Sequence, residues 1–228
     1  MKLEREALSL PFYSIGQEIA HSIIHGIGAL GAIAGLVLLT LKANGSLNGY
    51  RASNIDIIAV ILFTATMTIM FLASTMYHAV QHKDAKIILR KIDHAVIFVF
   101  IAGSYTPYCL SAIKGTLGWS LLAAEWSLAL LGIILNILDI KALRKIEVTS
   151  KILMGWAIVI GFVPLVHAVP MQSIILLIVG GIIYTIGTLW YRRKDLWYTH
   201  IVWHAFVFAG AVCHYLSIWY LVSNPSAS

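Results

Sequence analysis

Seven stretches of about 20 mostly apolar residues, the length a helix needs to cross the hydrocarbon core of a bilayer, follow one another along this chain. They cover 19–41, 55–77, 92–113, 117–138, 152–169, 173–191 and 200–222. In lipid every backbone polar group must be satisfied internally, so such runs are helices or strands of a closed barrel. The period-two alternation that marks a barrel strand is absent. The expected fold is therefore an all-α membrane protein, a seven-transmembrane helix bundle. Composition agrees: 60% of the 228 residues are hydrophobic and 11% charged, against about 25% charged in a soluble domain. A soluble chain with so little polar surface could not be solvated, whereas lipid solvates an apolar exterior.

The connections are short and carry turn-forming residues, Asn44-Gly45, Asn48-Gly49, Lys114-Gly115 and Pro170. Only three residues part the fifth and sixth runs, which predicts a tight hairpin. Pro164 within the fifth run predicts a kinked helix. Glu4, Glu6 and Glu18 make the first 18 residues unlike a signal-peptide n-region, so the first run is expected to be retained as a helix. Cys109 and Cys213 lie inside apolar runs and form no disulfide framework; they read as small packing residues.

Charge gives the bundle a direction. The N-terminus and the connections 2–3, 4–5 and 6–7 hold 13 Lys and Arg, and the opposite set holds 3. Cytoplasmic segments carry the basic excess, so the N-terminus is expected in the cytoplasm and the C-terminus outside, opposite to a G-protein-coupled receptor. The expected organisation is a cytoplasmic segment 1–18, a transmembrane domain 19–222 and a short extracytoplasmic tail 223–228. The net charge of +6 belongs to these loops, and no nucleic-acid partner is expected.

Of the nine histidines, seven (His21, His25, His78, His82, His94, His200 and His204) fall at the cytoplasmic ends of runs or just beyond. His200 and His204 are four apart, so their imidazoles share one helix face and can reach a common ion; the alternative is an interfacial pair bonded to headgroups or loop carbonyls. Ser74 and His78 repeat the spacing at the end of the second run, where Ser74 could instead bond a carbonyl one turn back. Asp93 opens the third run, as a helix cap or as a carboxylate needing a partner. Three histidines suit zinc and leave a fourth position for water, which the ion would activate. Asp93 could then orient that water or carry its proton, and Ser74 could hold a substrate carbonyl.

These residues resemble the progestin and adiponectin receptor superfamily: the S-x3-H of Ser74/His78, the Asp93-His94 pair and the H-x3-H of His200/His204 match its motifs. Ile24-His-Gly-Ile-Gly28, Phe71-Leu-Ala-Ser-Thr-Met-Tyr-His78 and Ala102-Gly-Ser-Tyr-Thr-Pro-Tyr108 look more narrowly like the bacterial hemolysin III branch, as do Trp126-Ser-Leu-Ala-Leu-Leu-Gly132 and Trp203-His-Ala-Phe-Val-Phe208. The resemblance spans all seven runs. It implies zinc held by His78, His200 and His204, with Asp93 reaching it through water and Ser74 nearby. It also implies a bacterial inner-membrane location, membrane lipids as substrate or ligand, and a role in membrane fluidity and energetics; it leaves homo-oligomerisation open. His21, where a smaller polar residue is expected, and Glu125, inside the fourth run, stand outside the motifs. Glu18, His25 and His94 are read as supporting or interfacial groups, and Tyr105-Thr-Pro-Tyr108 as a bent end of the third helix.

Three functions follow. One is a zinc-dependent hydrolase of lipid amides, ceramidase-like. Another is a receptor-like sensor with structural zinc, favoured if four protein ligands close the shell. The third is a pore-forming hemolysin, for which no run offers a polar stripe suited to a wide channel. A retinal protein is excluded, since the seventh run has no lysine for a Schiff base.

Overall fold

The computed structural model describes residues 10–11, 13–47, 49–138, 146–193 and 196–222. Among these residues every regular element is helical, and seven helices are long and apolar enough to cross a membrane. In chain order they are α1 (Ile15–Ala43), α2 (Asn54–Ala79), α3 (Lys83–Ile113), α4 (Gly115–Leu138), α5 (Glu147–Ala168), α6 (Met171–Arg192) and α7 (Thr199–Leu221). The predicted tail 223–228, residues 1–9 and 12 of the N-terminal segment, and the basic connection 139–145 lie outside the described residues.

α1 and α2 start on capping boxes. Ser14 with Gln17 and Ser53 with Asp56 exchange side-chain and backbone bonds, satisfying amide groups that the first turn leaves orphaned. α1 therefore begins before the apolar run does, and Glu18, assigned by sequence to the flanking segment, lies in its first turn. α3 departs most from expectation, since it starts at Lys83, nine residues before its apolar run. The extension Lys83–Lys91 is charged and amphipathic rather than lipid-soluble, and Lys86 and Ile87 turn inward from it. Asp93 is accordingly not a helix opening: it stands about three turns inside α3, where no backbone amide is left for it to cap. At its other end α3 passes into a π-helix over Tyr108–Ile113, immediately after Pro107. Pro164 has its expected consequence in α5. The helix is α over Glu147–Trp156, 3-10 over Ala157–Gly161 and α again over Phe162–Ala168. The break includes Ile160, whose carbonyl the proline ring would otherwise meet. α5 and α6 meet in the tight hairpin, ending at Ala168 and restarting at Met171.

The bundle closes as a ring. α1 packs on α2 and α7, α2 on α3, α3 on α4 and α5, and α6 on α7, while α5 touches α4 and α6 only lightly. Phe63, Phe71, Leu39, Tyr108 and Ile218 fill the interior. Leu30, Leu153 and Val163 face outward, as side chains in contact with lipid must. The close approach of α3 to α2 depends on Gly103, where a Cβ would fall 2.1 Å from Thr66 Oγ1. The approach of α4 to the π-helix depends on Gly118, where it would fall 2.4 Å from the backbone oxygen of Cys109.

Candidate metal centre

The first turns of α1 and α7 and the last turn of α2 meet at one end of the bundle. α1 brings Glu18, His21 and His25 on one face, spaced by three and four residues. α2 brings His78, and α7 brings His200 and His204. The five imidazoles form a single cluster. The His21 ring lies 4.5 Å from that of His78 and 4.8 Å from those of His200 and His204. His204 lies 4.0 Å from His25, 4.8 Å from His78 and 4.7 Å from His200, and His78 lies 5.5 Å from His200.

Such a cluster needs something to hold it. Burying a polar nitrogen without a partner is costly, yet both nitrogens of His21 and His25, Nε2 of His78 and Nδ1 of His204 are buried without a hydrogen bond among the described residues. His21, His78 and His204 each offer a nitrogen within 4.8 Å of the others'. The donor set, three imidazoles, is the kind zinc and other borderline metals take. The orphaned nitrogens therefore fit a metal ion; they do not choose among metals.

His78 is oriented for this. Its Nδ1 donates to Glu18 Oε2 at 2.6 Å, while its Nε2 is buried without a partner among the described residues. Glu18 is held in turn by Lys86 Nζ, 2.5 Å from its other oxygen. Carboxylates that fix the tautomer of a ligating histidine are the usual outer shell of metal sites. Tyr13 covers the cluster, its ring stacked on His200 at 5.0 Å and edge-on to His21 at 5.0 Å. Burial, reinforced by Tyr191 and Glu18, pushes the Tyr13 hydroxyl well above its ordinary range, so the cover is neutral. Gln17 Nε2 donates to the Trp197 carbonyl, tying the start of α1 to the approach to α7.

A cavity of about 670 Å³ adjoins the cluster, and Ser74, His25, Asp93, His200 and His204 all form part of its wall. Ser74 is buried one turn before His78, and Asp93 is partly exposed. The residues singled out by sequence are thus together: Ser74, Asp93, His200 and His204 on the cavity, and His78 within the cluster. Sequence reasoning set His21 aside, although His21 and His25 repeat the four-residue spacing of His200 and His204. His94 bonds through Nδ1 to Glu147 Oε1 at 3.1 Å, away from the cluster. Glu125 is buried on α4 with Oε2 lacking a partner among the described residues.

The sequence profile of the family described as Haemolysin-III related matches residues 13–215, a span holding all five clustered histidines, Glu18 and Asp93. The chain belongs to the haemolysin-III-related family. It is 38% identical over 217 residues to the Hemolysin-3 homolog of Bacillus subtilis (strain 168), covering 95% of this chain and 100% of that protein. It is 34% identical over 214 residues to Hemolysin-3 of Bacillus cereus, covering 94% and 95%. The human Monocyte to macrophage differentiation factor is 28% identical over 166 residues, covering 69% of this chain and 68% of that protein. These relatives place this haemolysin-III-related chain within the progestin and adiponectin receptor superfamily, as a multi-pass membrane protein.

Proposed function

We propose that this protein is a zinc-dependent hydrolase of lipid amides, working from the cytoplasmic side of a bacterial inner membrane. The observation that carries the reading is His78. Its Nδ1 is fixed by Glu18 and its Nε2 is left unpartnered beside His21 and His204, in a cluster that adjoins a cavity walled by Ser74, Asp93, His200 and His204. His78, His200 and His204 are the ligands the family motifs imply. Zinc held there supplies Lewis acidity toward a water molecule and a substrate carbonyl. The chain's own groups do the rest. The Ser74 hydroxyl donates to the carbonyl oxygen as charge develops on it. The Asp93 carboxylate accepts the proton from the attacking water and returns it to the leaving nitrogen, so that water is added across the C–N bond to give a carboxylic acid and an amine. The apolar wall of the cavity holds the chain of the lipid.

The test is metal analysis of purified protein together with hydrolysis of acyl amides in detergent or vesicles. Wild type is expected to carry one zinc per chain, His204→Ala to lose it, and Asp93→Asn to keep it while losing turnover by about 10²–10⁴-fold. A wild type that purifies and folds without zinc would sink the reading. Vesicle leakage that persists in His204→Ala would instead favour lysis, the activity for which the Bacillus cereus relative is named.

A second reading has its own observation, His21. His21, rather than His200, completes with His78 and His204 the set of histidines whose nitrogens lie within 4.8 Å of one another; were His200 to join them, four imidazoles would close the shell, making zinc structural and the bundle a sensor of lipid state. His21→Asn separates the two readings. Hydrolysis retained with zinc still bound supports the enzyme. Zinc lost by His21→Asn, in a wild type that hydrolyses nothing, supports the sensor.

A further inference from the structure

The cavity does not stop at the histidines. His204 and His214 of α7 both contribute to its wall, and ten residues of helix set them about 15 Å apart along the axis. The wall also includes the apolar side chains of Met70, Phe100, Leu177 and Val207. At the level of His214 it becomes polar again. The hydroxyl of Tyr184, on α6, is buried and lacks a hydrogen-bond partner among the described residues. Its ring meets that of His214 edge-on at 5.3 Å. Both ring nitrogens of His214 are buried without a well-formed bond, the Leu177 carbonyl being the acceptor alongside.

These two rings are seated, not loose. Each lies on a glycine of the facing helix. A Cβ at Gly210 would come within 2.8 Å of the Tyr184 ring, and one at Gly180 within 2.3 Å of the His214 ring. α6 and α7 thus interlock through two polar aromatic side chains where a phenylalanine would fill the Tyr184 space without burying an unmet hydroxyl. A buried hydroxyl without a partner among the described residues, on a side chain in the wall of the cavity, fits a ligand that brings its partner.

We propose that Tyr184, with His214 behind it, is a recognition subsite for a hydroxyl group borne on the acyl chain of the bound lipid. The position of that hydroxyl rests on the lipid-amide reading, which puts the carbonyl at the histidine cluster. About 15 Å of extended chain, at roughly 1.2 Å per bond, is about a dozen bonds, so the hydroxyl belongs near the middle of a long chain.

The experiment compares octadecanoate with 12-hydroxyoctadecanoate binding to the purified protein in detergent, followed by the fluorescence of Trp156 and Trp203, which line the cavity. The hydroxylated acid is expected to bind wild type about three- to tenfold more tightly. Tyr184→Phe should remove that preference, leave octadecanoate binding unchanged, and raise the melting temperature of the ligand-free protein. 3-Hydroxyoctadecanoate, whose hydroxyl stays near the carbonyl, should show no preference that depends on Tyr184. Equal affinities in wild type, a preference surviving in Tyr184→Phe, or no binding of either acid overturns the subsite. Acyl-amide hydrolysis is measured on the same preparations. Hydrolysis without the preference refutes the subsite and leaves the enzyme reading standing. A Tyr184-dependent preference without hydrolysis does the reverse.

Discussion

The two ring nitrogens of His78 have different surroundings, and the difference sets what the residue can do. Nδ1 is committed to Glu18, and Nε2 has no partner among the described residues. A neutral ligand in Glu18→Gln can still accept the Nδ1 proton, but it no longer raises the basicity of the ring or balances Lys86. Zinc affinity in Glu18→Gln is therefore expected to fall about 10–100-fold, read by competition with a chelator of known affinity. An unchanged affinity would mean that Glu18 serves Lys86 alone. Sequence showed only part of this site. His200 and His204 could be paired because a helix puts residues four apart on one face, and Ser74 and His78 likewise. Glu18 and His78 are 60 residues apart, and no local spacing rule joins them; that contact exists only once α1 lies against α2. His21 was legible by the spacing that made His200 and His204 notable, but a family motif that expects a smaller residue there drew weight away from it.

Among the helices, close approach and loose packing each make a different demand. At Gly103 the obstacle to a methyl group is the Thr66 side chain, whose Oγ1 and Cγ2 truncation removes while its Cβ stays 2.9 Å away. At Gly118 it is the Cys109 backbone oxygen at the turn into α4, which no truncation removes. Gly103→Ala is expected to lower stability by about 1–3 kcal/mol, with partial recovery in Gly103→Ala/Thr66→Ala. Gly118→Ala should cost more and not be recovered by shortening any neighbouring side chain. Thermal unfolding in detergent measures both, and a rescue at Gly118 would overturn the distinction. α5 is held differently. Its packing on α4 and α6 is light, and at its first turns Lys151 Nζ contacts Glu147 Oε1 at 2.5 Å and donates to the His94 carbonyl at 3.0 Å, joining α5 to α3. Lys151→Met leaves Glu147 with His94 alone and is expected to destabilise by about 1–3 kcal/mol. Adding Glu147→Gln, which removes the uncompensated charge, should restore part of that. Apolar length announced the seven crossings because lipid permits little else. It misjudged the start of α3, because a helix that leaves the bilayer continues on amphipathic and charged residues that hydropathy does not count.

For the whole molecule, the direction of insertion decides which leaflet can supply a ligand. In an up-and-down bundle of seven crossings the starts of α1, α3 and α7 and the end of α2 lie on one side, so the histidine cluster and Asp93 share it. Much of the basic excess lies there too, although Lys83, Lys86, Arg90 and Lys91 stand on α3 rather than in a loop, and Lys86 is occupied with Glu18. Positive segments resist translocation. A fusion after Leu221 is therefore expected to give active alkaline phosphatase and dark green fluorescent protein, and a fusion in the connection after Ala79 the opposite pair. The converse pattern would move the candidate metal centre to the outer face, and the lipid of the proposed reaction would have to come from the outer leaflet. The buried Lys86 makes the prediction sharper. If insertion is read from exposed charge alone, Lys86→Met should leave the topology unchanged while loosening the hold on Glu18, so fusion activity stays constant as zinc affinity falls. A change of topology in that variant would show that Lys86 is counted during insertion, before Glu18 has claimed it.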